Sequence, residues 1–360
     1  MTGATRPETR DRRMRRSIAP MITALALAAV AVHAAAQTPS VPRLKTPMTV
    51  KMGFAAGSMS VAGVYVAIER GYFREAGITN EFIPLNSFNQ LIGPIATGEL
   101  DIGSAGPSAA LFNALERGVV IRLVADQNTV FPGHASIAMM VRKDLVDSGK
   151  VKSVADLKGR TFALAARRAT MELDLIKALR GAGLTIDDVK LAVMPFPQIN
   201  AAFAGKTIDA GWQLEPLVAA AVSQNLAVRF KGLDEITPNR QNGMFVYSER
   251  FAANQEAGRA WMVAYVRGLR DYNDAVLKGR DREFVIQTLM KHTTVKERAA
   301  YDRIVLPGLH PDGELNVESI REAYGDFKAA GDIKGDVNLD AVIDRSFVRY
   351  AVEVLGPYRR

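Results

Sequence analysis

The sequence predicts an α/β protein of two similar lobes joined by a hinge of two crossing segments, on three observations. From Thr49 onward short β-rich runs alternate with amphipathic helical patterns, as parallel strand–helix–strand units require. Glycines close the helical patterns at regular points. The whole arrangement is then repeated in the second half of the chain.

The first 36 residues differ in kind from the rest. Arg12, Arg13, Arg15 and Arg16 form a basic head, Ile18–Val32 is almost wholly apolar, and Ala34, Ala35 and Ala36 offer small residues to a signal peptidase. At about 15 residues the apolar run is shorter than the roughly 20 that anchor a chain across a bilayer. Residues 1–36 are therefore expected to be an export signal, with a protein beginning near Gln37 that is not inserted in a membrane after cleavage. Met14 is a second candidate start, and the paired arginines leave general and twin-arginine export both open.

In the first repeat Thr49–Ala55 reads as a strand, Ala62–Ala76 as a helix stopped at Gly77, and Glu81–Leu85 as the next strand. Gln90–Thr97 follows as a helix ending at Gly98, Asp101–Ser104 as a strand, Ser108–Arg117 as a helix ending at Gly118, and Ile121–Asp126 as a strand. The second repeat echoes the first: Glu75-Ala76-Gly77-Ile78-Thr79 and Gly98-Glu99-Leu100-Asp101-Ile102-Gly103 find counterparts in Gly181-Ala182-Gly183-Leu184-Thr185 and Gly205-Lys206-Thr207-Ile208-Asp209-Ala210-Gly211. Ala135–Arg142 and Gly243–Arg250 are strand-like and bracket the second repeat, so the chain is expected to cross to a second lobe and return. This gives lobe one as 44–142 and 241–360, with lobe two as 143–240. Gln255–Lys278, Arg282–Lys291 and Asn338–Leu355 read as long scaffold helices on lobe one.

Composition narrows the chemistry. The chain has no cysteine, which excludes disulfides, thiolate metal sites, cysteine nucleophiles and a lipid-modified cysteine tether. Its formal charge is +8, but half lies in the leader, where six arginines face Glu8 and Asp11; the remaining +4 is too mild to argue for nucleic acid. No phosphate-cradling glycine loop or nucleophile elbow occurs, and Gly181-Ala182-Gly183 follows a helix instead of opening one. His310, Asp312 and Glu314 alternate in a Pro/Gly-rich loop, where a solvated turn explains them better than a metal. No catalytic residue, metal site or cofactor is expected.

Polar and small residues gather instead where strands end and helices begin, which is where open α/β sheets bind ligands and where free N–H groups favour anions. Three such corners in lobe one hold Ser58, Met59 and Ser60; Ser87 and Phe88; and Ser104, Pro107 and Ser108, with Phe54 and Phe88 as an apolar wall. In lobe two Arg167 and Arg168 stand at a helix start, before Thr170, where a guanidinium is unfavourable without an anion; either could grip a carboxylate, sulfonate or phosphate. Trp212, Gln213 and Glu215 form the next corner, with Trp212 placed to stack on a ligand and Glu215 to contact it, cap its helix or pair with Arg167 or Arg168. Asn242, at the return crossing, completes the candidate set.

These residues sit within a wider resemblance. Val64–Phe73, Glu75–Ile78, Ala96–Gly103, Val141–Asp144, Ser153–Arg160 and Leu214-Glu215-Pro216 resemble, in order and spacing, the nitrate/sulfonate/taurine group of ABC-transporter substrate-binding proteins, the NMT1/THI5-like type II periplasmic binding proteins. The resemblance implies a hinged clamp that serves permease and ATPase subunits and binds its ligand in the corners above; a monomer in the periplasm is expected, open in the absence of ligand. Arg167-Arg168 replaces a small Gly-Ser pair common in that group, and Leu214 replaces the usual tryptophan before Glu-Pro, so the substrate does not transfer with the resemblance. The ligand is expected to be a small organic anion, a sulfonate or carboxylate and aromatic in one reading. A ligand-sensing domain that signals to a membrane partner, and an enzyme on the same fold, are the rival readings.

Overall fold

A computed structural model describes residues 41–54, 58–85 and 88–359, with the side chains of residues 88 and 89 left aside. The expected export signal lies outside the described residues. Among the described residues ten strands form two sheets of five. In the first, β1 (Met48–Phe54) pairs in parallel with β2 (Ile78–Pro84) and β3 (Ile102–Ala105). The strand β10 (Gln241–Ser248) runs antiparallel between β3 and β4 (Ile121–Thr129), giving the order β2-β1-β3-β10-β4.

The second sheet repeats this plan. Here β6 (Thr161–Leu164) is parallel to β7 (Lys190–Val193) and β8 (Ala210–Leu214), while β5 (Ile137–Arg142) is antiparallel to β8 and to β9 (Ala227–Gly232). The order β7-β6-β8-β5-β9 matches the first sheet strand for strand. The repeated glycine punctuation has a backbone cause: Gly77, Gly98 and Gly183 all take positive φ, between 72° and 77°, to end their helices. At the fourth echo point the left-handed conformation moves one residue on, to Lys206 at φ 55°.

The first crossing comes earlier than the sequence suggested. Ile137–Arg142, placed in lobe one on its strand-like composition, is β5 of the second sheet, so lobe two spans strands from 137 to 232. Five of its six residues are buried, and an unbroken apolar strand carries no signal for which sheet buries it. The two crossing segments are hydrogen-bonded to each other, Asn239 N–H donating to Val130 O at 2.7 Å and Val130 N–H to Arg240 O at 2.9 Å. Two smaller corrections concern helices. Gly71, at φ 78°, splits the first expected helix into Ala62–Glu69 and Tyr72–Glu75, and the expected Asn338–Leu355 helix is Leu339–Val342 followed by Ser346–Leu355.

Lobe one is thickened by the helix Gln255–Lys278, whose buried face carries Trp261, Tyr265, Leu269 and Tyr272. It crosses the helix Ala62–Glu69 so closely that a Cβ on Gly268 would lie 2.2 Å from Gly63 O. In lobe two the sheet is covered on one face by Phe162, Leu164, Leu175 and Trp212, and on the other by Ile199, Phe203 and Val218. No helix of the described residues is long and apolar enough to cross a membrane.

Candidate ligand cleft between the lobes

The carboxyl ends of the parallel strands of both lobes meet. Ser108, just beyond β3, and Ala169, just beyond β6, form an isolated antiparallel backbone bridge from one lobe to the other. The next residue on each side starts a helix: Ala109–Glu116 in lobe one and Thr170–Arg180 in lobe two. Two helix N-termini, each with a partial positive charge, therefore open at one junction. Ser108 caps its helix by accepting the Leu111 N–H at 3.2 Å, and Pro107 and Thr170 are buried beside it. Within lobe one, Gly106 lets the chain after β3 lie against β10, since a Cβ there would lie 2.8 Å from Asn242 O.

Three of the candidate serines of lobe one join in a single chain of hydrogen bonds. Ser58 Oγ and Ser60 Oγ are 2.8 Å apart, Gln127 Nε2 donates to Ser60 Oγ at 3.2 Å, and Ser104 Oγ donates to Gln127 Oε1 at 2.7 Å. Gln127 is buried at the end of β4, so a hinge strand ties the first corner to the third. Asn242 lies next to it, donating through Nδ2 to Asn128 Oδ1 at 3.0 Å. Sequence reasoning missed Gln127 and Asn128. Their signal was the polar run Asp126-Gln127-Asn128-Thr129 at the end of a strand, all four buried. Met59 and Phe54 belong to the lobe-one core instead of a pocket wall; Phe54 packs edge-on against Phe82 with ring centres 4.9 Å apart. Ser87 lies outside the described residues, as does the side chain of Phe88.

The arginine corner differs from expectation. Arg167 Nε donates to Glu172 Oε1 at 2.5 Å, the Arg168 backbone N–H donates to Glu172 Oε2, and Arg168 Nε lies 2.9 Å from Asp332 Oδ1. Both guanidiniums thus have carboxylate partners, and Glu172 supplies the acidic group that the first helical turn favours. Arg168 itself takes φ 56° to make the turn.

Trp212 and Gln213 are corrected outright, for both are fully buried. Trp212 faces Phe162 edge-on at 5.9 Å between ring centres, and Gln213 Nε2 donates to Phe196 O and to Asn200 Oδ1, fixing the helix Phe196–Ala204 to β8. Alternation along β8 buries one on each face of a covered sheet. Glu215 is also buried and pairs with neither Arg167 nor Arg168. Its Oε2 accepts the Ala219 N–H at 3.1 Å, its Oε1 accepts the Val305 N–H at 3.2 Å, and Arg229 Nη1 is 3.7 Å away. Burial raises its pKa, against the pull of those N–H groups and of Arg229. His310 Nδ1 accepts the N–H groups of Asp312 and Glu314, as a turn would have it. Among the described residues no group of acidic and histidine side chains is placed to hold a metal ion.

Two matching lobes, meeting at strand ends across a double crossing, define the two-lobed periplasmic binding protein fold. Residues 58–274 match the NMT1/THI5 like family model, and the chain belongs to that family. A relative in Escherichia coli (strain K12), named as an aliphatic sulfonates-binding protein, is 27% identical over 250 residues, which is 68% of this chain and 72% of that one. Among solved structures, the alkanesulfonate-binding protein SsuA from Xanthomonas axonopodis pv. citri bound to MOPS is similar at TM-score 0.65 and 20% identity, over 84% of this chain and 100% of that one. The periplasmic nitrate-binding protein NrtA from Synechocystis PCC 6803 is similar at TM-score 0.66 and 13% identity, over 86% and 89%. The desulfurization enzyme DSZB shares the fold at TM-score 0.57 and 16% identity, over 84% and 98%, so the fold alone does not decide between binding and catalysis.

Proposed function

We propose that this chain is the exported, monomeric substrate-binding component of an ABC importer, and that it holds a small organic anion, a sulfonate or carboxylate, between its lobes in the periplasm. The observation that carries the reading is the junction at Ser108 and Ala169. Helix N-termini from opposite lobes open there, beside a hydroxyl and amide network from Ser58 to Gln127 that contains no carboxylate. Such a site offers hydrogen-bond donors and positive helix ends to an anion. Membership of a family whose relatives here are named as sulfonate- and nitrate-binding proteins supports the same class of ligand. With the guanidiniums of Arg167 and Arg168 held by carboxylates, neutral donors would do most of the gripping, and the arginines would frame the entrance. Delivery to a permease and its ATPase is the role that membership of the family supports.

Isothermal titration with a panel of alkane- and arylsulfonates, benzoate, nitrate, amines and sugars tests this. The expected outcome is a micromolar-range sulfonate or carboxylate that raises the melting temperature through linkage and emerges from incubation chemically unchanged. Gln127→Ala cuts the network in its middle and should weaken that ligand by on the order of tenfold, the value of one hydrogen bond to a charged group. Binding confined to amines or sugars, or turnover of the bound anion, would replace the proposal.

A further inference from the structure

The edge strand β2 and the segment that leads into β1 enclose a groove at the end of lobe one remote from the cleft. Both strands start there, at Met48 and Ile78, and run in parallel register toward the cleft over seven residues, roughly 20 Å at about 3.3 Å per residue. The leading segment is pinned in place. The Leu44 N–H donates to Ala76 O at 3.0 Å, the Met48 N–H donates to Gly77 O at 3.0 Å, and the Leu44 side chain is buried in the lobe-one core. Burying Leu44 leaves its neighbours Arg43 and Lys45 exposed, and Arg74, from the short helix Tyr72–Glu75, is exposed as well. All three line a cavity of about 550 Å³ with Pro47, Ile78 and Thr79. No carboxylate lines that cavity, and among the described residues none of the three cations has an acidic partner; Glu75, next to Arg74, is held by Arg267 at 2.6 Å.

We propose that this groove is a docking surface for a lipid bilayer that bears anionic headgroups. Its chemistry suits a charged plane better than a dissolved ion: a small anion needs buried, convergent donors to be held against water, whereas a membrane surface needs only exposed, unpaired cations gathered on one face. Its place in the chain points the same way. Arg43 follows Val32, the end of the apolar leader run, by eleven residues, a reach of at most about 40 Å when fully extended. While an export signal at 1–36 is attached and inserted, this end of lobe one is therefore held near the bilayer at high local concentration. The cations keep an affinity for the same surface after cleavage. Each Lys or Arg close to an anionic surface is worth about fivefold in binding, so the three together give about a hundredfold, screened by salt. The inference takes only the export signal from the proposed function and is independent of the cleft ligand.

Cosedimentation of the protein beginning at Gln37 with vesicles of phosphatidylcholine, alone or with about one-third phosphatidylglycerol, tests the surface. Binding is expected to the mixed vesicles only, at about 0.05 M salt, and should be lost near 0.5 M, where screening shortens the attraction to a few ångströms. Arg43→Gln, Lys45→Gln and Arg74→Gln together should weaken binding by about a hundredfold, and the first two alone by about twenty-five-fold. Lys150→Gln, Lys152→Gln and Arg180→Gln remove the same charge from exposed positions of lobe two and should weaken it by less than about fivefold. All six side chains are exposed, so unchanged melting is expected of every variant. An equal loss in the two triple variants would make the attraction one of net charge alone and overturn the groove, as would a parent that ignores the mixed vesicles. Inorganic phosphate, exchanged for chloride at the same ionic strength, should not displace the protein; displacement at millimolar phosphate would make the groove a pocket for a free anion and overturn the membrane surface as its partner. Titrations of the cleft need no vesicles, so either reading can fail alone.

Discussion

Trp212 shows how a residue suited by chemistry to a ligand can be claimed by the core. Its indole is fully buried among Phe162 and the other apolar residues of lobe two, with the ring N–H unpartnered. Trp212→Ala should therefore cost about 3–5 kcal/mol of stability, read from urea unfolding, because a large cavity is left. Trp212→Phe should leave ligand affinity unchanged while retaining most of the stability. A severalfold loss of affinity in a fully stable phenylalanine variant would show the indole in contact with ligand after all. The two arginines teach the converse lesson. A basic pair at a helix start suggests an anion, yet Glu172 lies in the same first turn and supplies one from within the chain. Spacing along the sequence contained that partner; Asp332, more than a hundred and fifty residues away, it could not contain.

At the scale of elements, the strands that cross between lobes carry the most unusual buried polarity. Asp126 of β4 is fully buried, and its carboxylate accepts from Thr129 Oγ1 at 2.8 Å, Gln241 Nε2 at 2.6 Å and the His310 N–H at 2.6 Å. It thereby ties β4 to β10 and to the loop after residue 306. Burial pushes its pKa up to about 6, the hydrogen bonds opposing without overcoming it. A carboxyl raised in the folded state contributes stability that is fully present below its unfolded pKa and is lost as pH rises through about 6. Asp126 should therefore make the protein less stable between pH 4 and pH 6, by up to about 3 kcal/mol. Surface carboxylates such as Asp144, held low mainly by its hydrogen bond from Arg142, act in the opposite sense as pH falls below their range. Urea unfolding across pH 4 to 7 checks the sign: burial raises Asp174 to about 6 as well, so Asp126→Asn should lessen the decline without abolishing it, and a variant that follows the parent curve would place the titration elsewhere. Strand and helix order was legible because alternation and glycine stops are local. Which sheet β5 joins was not, because an all-apolar strand is equally content in either core. The candidate site followed the same division: Ser58, Ser60 and Ser108 stand at helix starts and Ser104 at a strand end, whereas Gln127 lies on another strand that no local pattern links to them.

For the whole molecule, the order of strands has a consequence for assembly. Lobe two is built from one continuous stretch, β5 to β9, whereas the sheet of lobe one holds β10 between β3 and β4. Lobe two can pair all its strands as soon as residue 232 is available; lobe one has a gap between β3 and β4 until residues 241–248 arrive. Contacts distant in sequence form late because of the loops they must close. In pulse-labelling hydrogen exchange during refolding, amides of β6 and β8 should gain protection before those of β3 and β4, and simultaneous protection would refute that order. A chain made from its N-terminus onward would thus carry β1 to β4 as an unfinished sheet, waiting for a single later strand to zip it shut.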